Sequence, residues 1–178
     1  MMAEPKMILI MGLPGSGKTY LAKLMAQHFD CHHISSDRIR IDMGLAGQYS
    51  SHDKQLVYKR ILEKAEHFLK CGCDIIIDTT FASASFRTSV QKMARPWTDE
   101  VFWIRTTAED ETIYKRMATK RNDSEADYAV YLTLKSQFEP VAGEHLVLPT
   151  DQFSDMEMID QVTQYCGLTN DRKPNPSN

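Results

Sequence analysis

Eight residues constrain this chain more than any other stretch: Gly12-Leu13-Pro14-Gly15-Ser16-Gly17-Lys18-Thr19. They fit the spacing G-x-x-x-x-G-K-[ST] and stand between two patterned segments. Before them lies the apolar run Lys6–Met11; after them Thr19–Phe29 repeats Leu21, Leu24, Met25 and His28 at helical spacing. A buried strand that feeds a glycine-rich turn and then a helix makes a phosphate cradle. Gly12, Gly15 and Gly17 permit backbone angles and close approach that a Cβ forbids, so successive N–H groups can point at phosphate oxygens. The helix that follows presents its positive end to the same anion. Lys18 is expected to reach the β- and γ-phosphates, and the Thr19 hydroxyl to ligate Mg²⁺. Pro14, Ser16 and Tyr20 complete the expected nucleotide-binding set. The motif implies binding of a nucleoside triphosphate.

Two periodicities alternate through the rest of the chain. Short strands are expected at His32–Ser35, Asp74–Asp78, Glu100–Arg105 and His145–Leu148. Helices are expected around Val57–Leu69, ended by Gly72, and over Ser85–Ala94, ended by Pro96. The segment Ile39–Ser51, with Gly44 and Gly47, reads as irregular or partly helical. Thr107/Asp110, Ser124/Asp127 and Ser154/Glu157 each resemble a capping box at a helix start, and Pro140 breaks a helix ending near Phe138. Strands alternating with helices predict an α/β P-loop NTPase fold: a doubly wound, five-stranded parallel sheet with helices on both faces and a short helical lid. The expected organisation is one domain over 1–168, with the lid near 108–138. The polar tail 169–178 is expected to be disordered.

Composition narrows the setting. The 178 residues are 42% hydrophobic and 25% charged, with a net charge of −3, which argues against coating nucleic acid by bulk attraction. No apolar run approaches the roughly eighteen residues of a membrane span, and Met7–Met11 is too short for a secretory core, so a cytoplasmic protein without membrane partners is expected. The four cysteines, Cys31, Cys71, Cys73 and Cys166, form neither a C-x-x-C pair nor a disulfide framework. His28, Cys31, His32 and His33 straddle a helix end and a strand start, so their side chains should diverge and hold no zinc.

A phosphate cradle establishes binding, not what the phosphate is used for. A GTPase needs an [NT]-K-x-D segment, and Thr119-Lys120-Arg121-Asn122 ends in asparagine. A hydrolytic motor follows its strand-end aspartate with a water-polarising glutamate, whereas Asp78 is followed by Thr79 and Thr80. In an open parallel sheet, ligands gather at the carboxyl ends of strands. There lie Ser35-Ser36-Asp37-Arg38-Ile39-Arg40, then Asp78-Thr79-Thr80 with Arg87 beyond, then Arg116, Lys120 and Arg121. A kinase is favoured. The alternative is a P-loop nucleotide hydrolase or regulatory switch acting on a protein partner.

The combination GLPGSGKT, SSDRIR, DIIIDTTFASASFR and KRMATKRNDSEAD resembles the small P-loop kinases labelled AAA_33. These are similar to the kinase domain of phage polynucleotide 5′-hydroxyl kinase and, more distantly, to zeta-toxin and chloramphenicol phosphotransferases. The likeness spans about residues 6–150. It implies Asp37 as general base toward the acceptor hydroxyl and Arg40 near the acceptor or its phosphate. It implies Arg116 and Arg121 as lid arginines over the transferring phosphoryl group, and Asp78 as the Walker B aspartate holding Mg²⁺. The polynucleotide kinase pattern carries a second aspartate beside the base, where this chain has Arg38.

The expected reaction transfers the γ-phosphoryl group of ATP to a hydroxyl of a small metabolite, nucleotide or nucleic-acid 5′ end. Arg38, Arg40, Thr79 and Arg87 are the expected acceptor contacts, with Lys18, Asp37, Arg116 and Arg121 in the chemistry. Tyr49 and Phe81 lie in loop-like segments and are candidates to stack on an acceptor ring. Tyr58 falls on an apolar helical face and reads as core.

Overall fold

The computed structural model of the chain describes residues 4–29, 31–119 and 128–168. Among these described residues five strands and seven helices follow in the order β1 (Met7–Met11), α1 (Lys18–Phe29), β2 (His32–Ser35), α2 (Ser36–Asp42), α3 (Ser51–Lys70), β3 (Ile75–Asp78), α4 (Ala84–Ala94), β4 (Val101–Thr107), α5 (Asp110–Ala118), α6 (Tyr128–Gln137), β5 (Leu146–Pro149) and α7 (Asp155–Cys166). The sheet order is β2-β3-β1-β4-β5, and every pairing is parallel. Because β1 is central, chain direction along the sheet reverses beside it, and the crevice at its carboxyl end opens onto residues 12–17.

Strand alternation sorts the core into two layers. Met7, Leu9 and Met11 face one side and pack with Ile75, Ile77 and the buried faces of α3 and α4. Ile8 and Ile10 face the other side, where Leu21 and Met25 of α1 and Ile159 and Val162 of α7 cover them. A strand buried on both faces has no polar positions, which is why MILIM reads as an unbroken apolar run.

Helix starts differ from the expected set. Ser154 and Glu157 form the capping box that opens α7. Thr107 does not open a helix: it is the last residue of β4, and Glu109 is the N-cap of α5, without a side-chain cap. The Glu109 N–H donates instead to Asp151 Oδ2 at 2.8 Å, so the turn is fixed from β5's side. Ser124/Asp127 lies outside the described residues. A further box, Ser50 with Asp53, starts α3. The segment after β2 is helical at once over Ser36–Asp42, then runs through turns at Gly44 and Gly47 to Ser50. Among the described residues no helix is long and apolar enough to cross a membrane.

Candidate active site

The phosphate loop leaves β1 at Met11 and enters α1 at Lys18. At Gly12, φ is +151° and a Cβ would lie 2.6 Å from both Ser16 Oγ and the Thr106 carbonyl oxygen. At Gly17, φ is +92° and a Cβ would meet Thr150 Oγ1 at 2.7 Å. Side chains at these two places would push the loop off the ends of β4 and β5. Ser16 does not face outward: its hydroxyl is buried and bonded to Thr106 Oγ1 at 2.8 Å. Its backbone N–H donates to the Leu13 carbonyl at 3.1 Å, which closes the turn of the loop. Lys18 is half-buried, and its Nζ donates to the Leu13 carbonyl at 3.1 Å across the loop. Burial pushes the Lys18 ammonium below its usual pKa, opposed by the negative charges of Asp78 and then Asp37. Lys18, Asp78 and Asp37 thus share one electrostatic neighbourhood.

The two residues expected to hold a metal meet. Thr19 Oγ1 donates to Asp78 Oδ1 at 3.2 Å, and Asp78 is 2% exposed at the end of β3. A hydroxyl beside a carboxylate at the mouth of a phosphate cradle is a hard, oxygen-only donor set, which suits Mg²⁺. The other carboxylate oxygen, Oδ2, lies 3.0 Å from His33 Nε2. Sequence reasoning missed His33 because it treated the residue as one of a cluster. The available signal was strand alternation, which puts His33 on the same face of β2 as Ser35, the register partner of Asp78. Its neighbours diverge: His32 stacks on Phe68 with ring centroids 4.1 Å apart, and Cys31 is buried.

Asp37 occupies the first turn of α2, one residue inside Ser36, with Ser35 at the cap. It is half-buried, and a negative side chain suits that end of a helix. Arg40, one turn on, is 6% exposed; its Nη1 donates to the Gln48 carbonyl and its guanidinium lies 4.5 Å from the Tyr49 ring centroid. Arg40 therefore holds residues 48–49 against α2, while Tyr49 keeps an exposed ring. Arg38 projects outward in an exposed pair with Asp42.

Arg116 of α5 reaches the phosphate loop. Its Nη1 donates to the Gly15 carbonyl at 3.1 Å and to Thr150 Oγ1 at 2.9 Å, and its Nη2 to the Thr150 carbonyl at 3.3 Å. Thr150 Oγ1 in turn donates to the Ser16 carbonyl at 2.8 Å. Helix α5, the phosphate loop and the end of β5 converge on one hydroxyl. Neither Thr150 nor Asp151 carried a recognisable motif. Arg121 and Lys120 lie outside the described residues.

Four expectations change. Phe81 is 0% exposed and packs against Phe86 and Trp103, so it stacks in the core and offers no ring to an acceptor. Arg87 is buried, and its guanidinium donates to the carbonyls of Phe81, Ala82, Glu139 and Pro140, which occupies it in bracing the backbone. Thr79 is 5% exposed, and its N–H donates to the Ile10 carbonyl at 3.3 Å, which closes it into the sheet end. Tyr20 extends outward, and its hydroxyl donates to the Asp155 carboxylate at 2.8 Å, so only its backbone remains near the loop. Tyr58 packs as expected, with ring centroids 3.6 Å from Phe86.

The profile of the family AAA_33, an AAA domain, matches residues 7–141. The chain belongs to that family. This AAA_33 chain has the α/β P-loop fold seen in several solved kinases. It is similar to a putative kinase from Chloroflexus aurantiacus, at 19% identity and a TM-score of 0.74 over 92% of this chain and 99% of that one. It is similar to an unliganded sugar kinase from Janibacter sp., at 15% identity and a TM-score of 0.72 over 93% and 96%. It is also similar to the Mycobacterium tuberculosis APS kinase CysC in complex with AMPPNP and APS, at 16% identity and a TM-score of 0.67 over 90% and 99%. No curated protein matches the AAA_33 chain.

Proposed function

We propose that this chain is an ATP-dependent phosphotransferase that uses Mg²⁺ and a hydroxyl-bearing acceptor, a small metabolite, nucleotide or nucleic-acid 5′ end. The observation that carries this reading is the pairing of Thr19 with the buried Asp78 carboxylate at the mouth of a phosphate loop that Lys18 spans, with Asp37 just past Ser35, the register partner of Asp78. One carboxylate is buried beside Thr19 for the metal; the other is half-buried on α2. The kinases of the same fold, one of them holding AMPPNP and APS, add support from outside the chain.

In this mechanism the loop N–H groups and the N-terminus of α1 hold the β- and γ-phosphates. Thr19 and Asp78 would hold Mg²⁺, whose chemistry is to neutralise charge on the phosphate oxygens. Asp37 accepts a hydrogen bond from the acceptor hydroxyl and takes its proton as the new O–P bond forms. The bond from γ-phosphorus to the bridging oxygen breaks, and ADP leaves. A loose transition state asks for alignment and charge neutralisation more than strong base catalysis, so an ordinary aspartate suffices. Lys18, Arg116 and Arg121 bear on the transferring group. Arg40 holds Gln48 and Tyr49 as one wall of the acceptor pocket, and Arg38 contributes charge at its rim.

The test measures phosphate transfer from γ-labelled ATP to a panel of hydroxyl acceptors, alongside ADP release. Acceptor-dependent transfer that falls roughly 10²–10⁴-fold in Asp37→Asn is expected. Vigorous ADP release without acceptor, unchanged in Asp37→Asn, would instead establish a hydrolase.

A further inference from the structure

The Asp78 carboxylate is closed in on both oxygens. Oδ1 accepts from Thr19 at 3.2 Å, and Oδ2 lies 3.0 Å from His33 Nε2. The side chain of Asp78 is 3% exposed and that of His33 is 18% exposed. His33 belongs to β2, the edge strand, with its backbone in register beside Ile76. Among the described residues no strand lies beyond β2, and the His33 imidazole is the group in contact with the outer oxygen of the Asp78 carboxylate. A carboxylate turns easily about its last bond, because that torsion is broad and roughly two-fold. Something must therefore set which oxygen faces Thr19 and the phosphate loop.

We infer that His33 is a positioning residue for the metal-holding carboxylate: its Nε2–H anchors Asp78 Oδ2 and so presents Oδ1, beside Thr19, to Mg²⁺. The inference rests on the proposed phosphotransfer reading, in which Thr19 and Asp78 are the metal ligands. Both the neutral Nε2–H tautomer and the imidazolium supply this donor, so the role does not depend on titration. Groups that hold a metal ligand from behind typically change metal affinity about 10–100-fold when removed. A histidine that merely stapled β2 to β3 would alter stability and leave metal affinity alone. One that blocked the carboxylate would tighten metal binding when lost.

The experiment titrates Mn²⁺ into the full chain with ADP present and reads free Mn²⁺ by electron paramagnetic resonance. Wild type, His33→Leu and His33→Gln are compared, with ADP affinity measured separately in EDTA. Expected are a roughly tenfold or larger loss of Mn²⁺ affinity in His33→Leu, near-wild-type affinity in His33→Gln, which keeps a donor, and unchanged ADP affinity in EDTA throughout. If His33→Leu does not fold, His33→Asn, too short to reach Asp78, takes its place with the same expectation. Equal or tighter Mn²⁺ binding in the donor-less variant overturns the role of His33 alone. Absence of a protein-dependent Mn²⁺ site in wild type with ADP overturns the phosphotransfer reading, and the role of His33 with it.

Discussion

Arg87 Nη1 donates to the carbonyl of Phe81 at 2.6 Å, and that bond fastens a residue whose backbone is under strain. Phe81 has φ +50°, the only positive value at a non-glycine position among the described residues. Its ring is sealed between Phe86 and Trp103, three residues past Asp78. The same guanidinium reaches the Glu139 and Pro140 carbonyls, so the loop after β3 and the chain leaving α6 are joined through one side chain.

Removing that guanidinium leaves partly buried carbonyls without donors. Arg87→Leu is expected to lower stability by about 2–4 kcal/mol in urea unfolding. Arg87→Lys is expected to recover less than half of the loss, because an ammonium cannot span four carbonyls as a planar fork does. An Arg87→Leu protein of wild-type stability but weakened acceptor binding would restore the arginine to the acceptor site.

Lys18 is held charged where burial opposes charge, so the empty protein should gain from losing it. Lys18→Met is expected to abolish transfer while raising the nucleotide-free melting temperature by about 2–4 °C, equivalent to roughly 1 kcal/mol for a chain this size. The sign follows from linkage. The folded pKa lies below the unfolded value of 10.5, so the unfolded chain binds more protons between the two. Wild-type stability therefore rises with pH between the folded value and 10.5, and the gap to Lys18→Met narrows there. A gap that widens with rising pH would contradict the burial argument.

Arg116 joins α5 to the phosphate loop and to Thr150, so its loss should register twice. Arg116→Ala is expected to lower the transfer rate by roughly 10³-fold. It is also expected to cost about 1–2 kcal/mol of stability, since the Gly15 and Thr150 carbonyls lose a charged donor. Stopped-flow transfer and chemical denaturation measure the two separately. Loss of stability with normal turnover would leave Arg116 a brace only.

Tyr20 offers the opposite case. Its phenol is exposed and bonded to Asp155 on α7. Tyr20→Phe is expected to change ADP affinity by less than about twofold and stability by less than about 0.5 kcal/mol. Calorimetric titration with ADP checks the first figure, and a tenfold loss would return the side chain to the nucleotide site.

Much of this was legible because it rests on local rules. The strand MILIM, the loop GLPGSGKT and the apolar face of α1 announce themselves in adjacent residues, so the sheet and the phosphate cradle follow from pattern. Asp37 and Asp78 could be placed because parallel strands bring their carboxyl ends to one edge. The failures share a different cause. Phe81 and Arg87 look like loop and surface residues until packing across α4 and residues 139–140 buries them. Thr107 resembles a cap because its spacing to Asp110 fits, yet hydrogen bonding to β5 carries the strand through it. Thr150 had no signal of its own and His33 only strand alternation, since each matters through a partner distant in sequence, Ser16 and Asp78 respectively.

The Thr150 hydroxyl, bonded to the Ser16 carbonyl and packed on Gly17, sets the order in which a newly made chain can become competent. The letters of the cradle leave the ribosome first, but the group that braces them comes more than a hundred and thirty residues later. A nascent fragment released before that point would carry the motif without its finished shape. The cradle thus takes its finished form only after the segment that carries Thr150 has been made and has folded back against it.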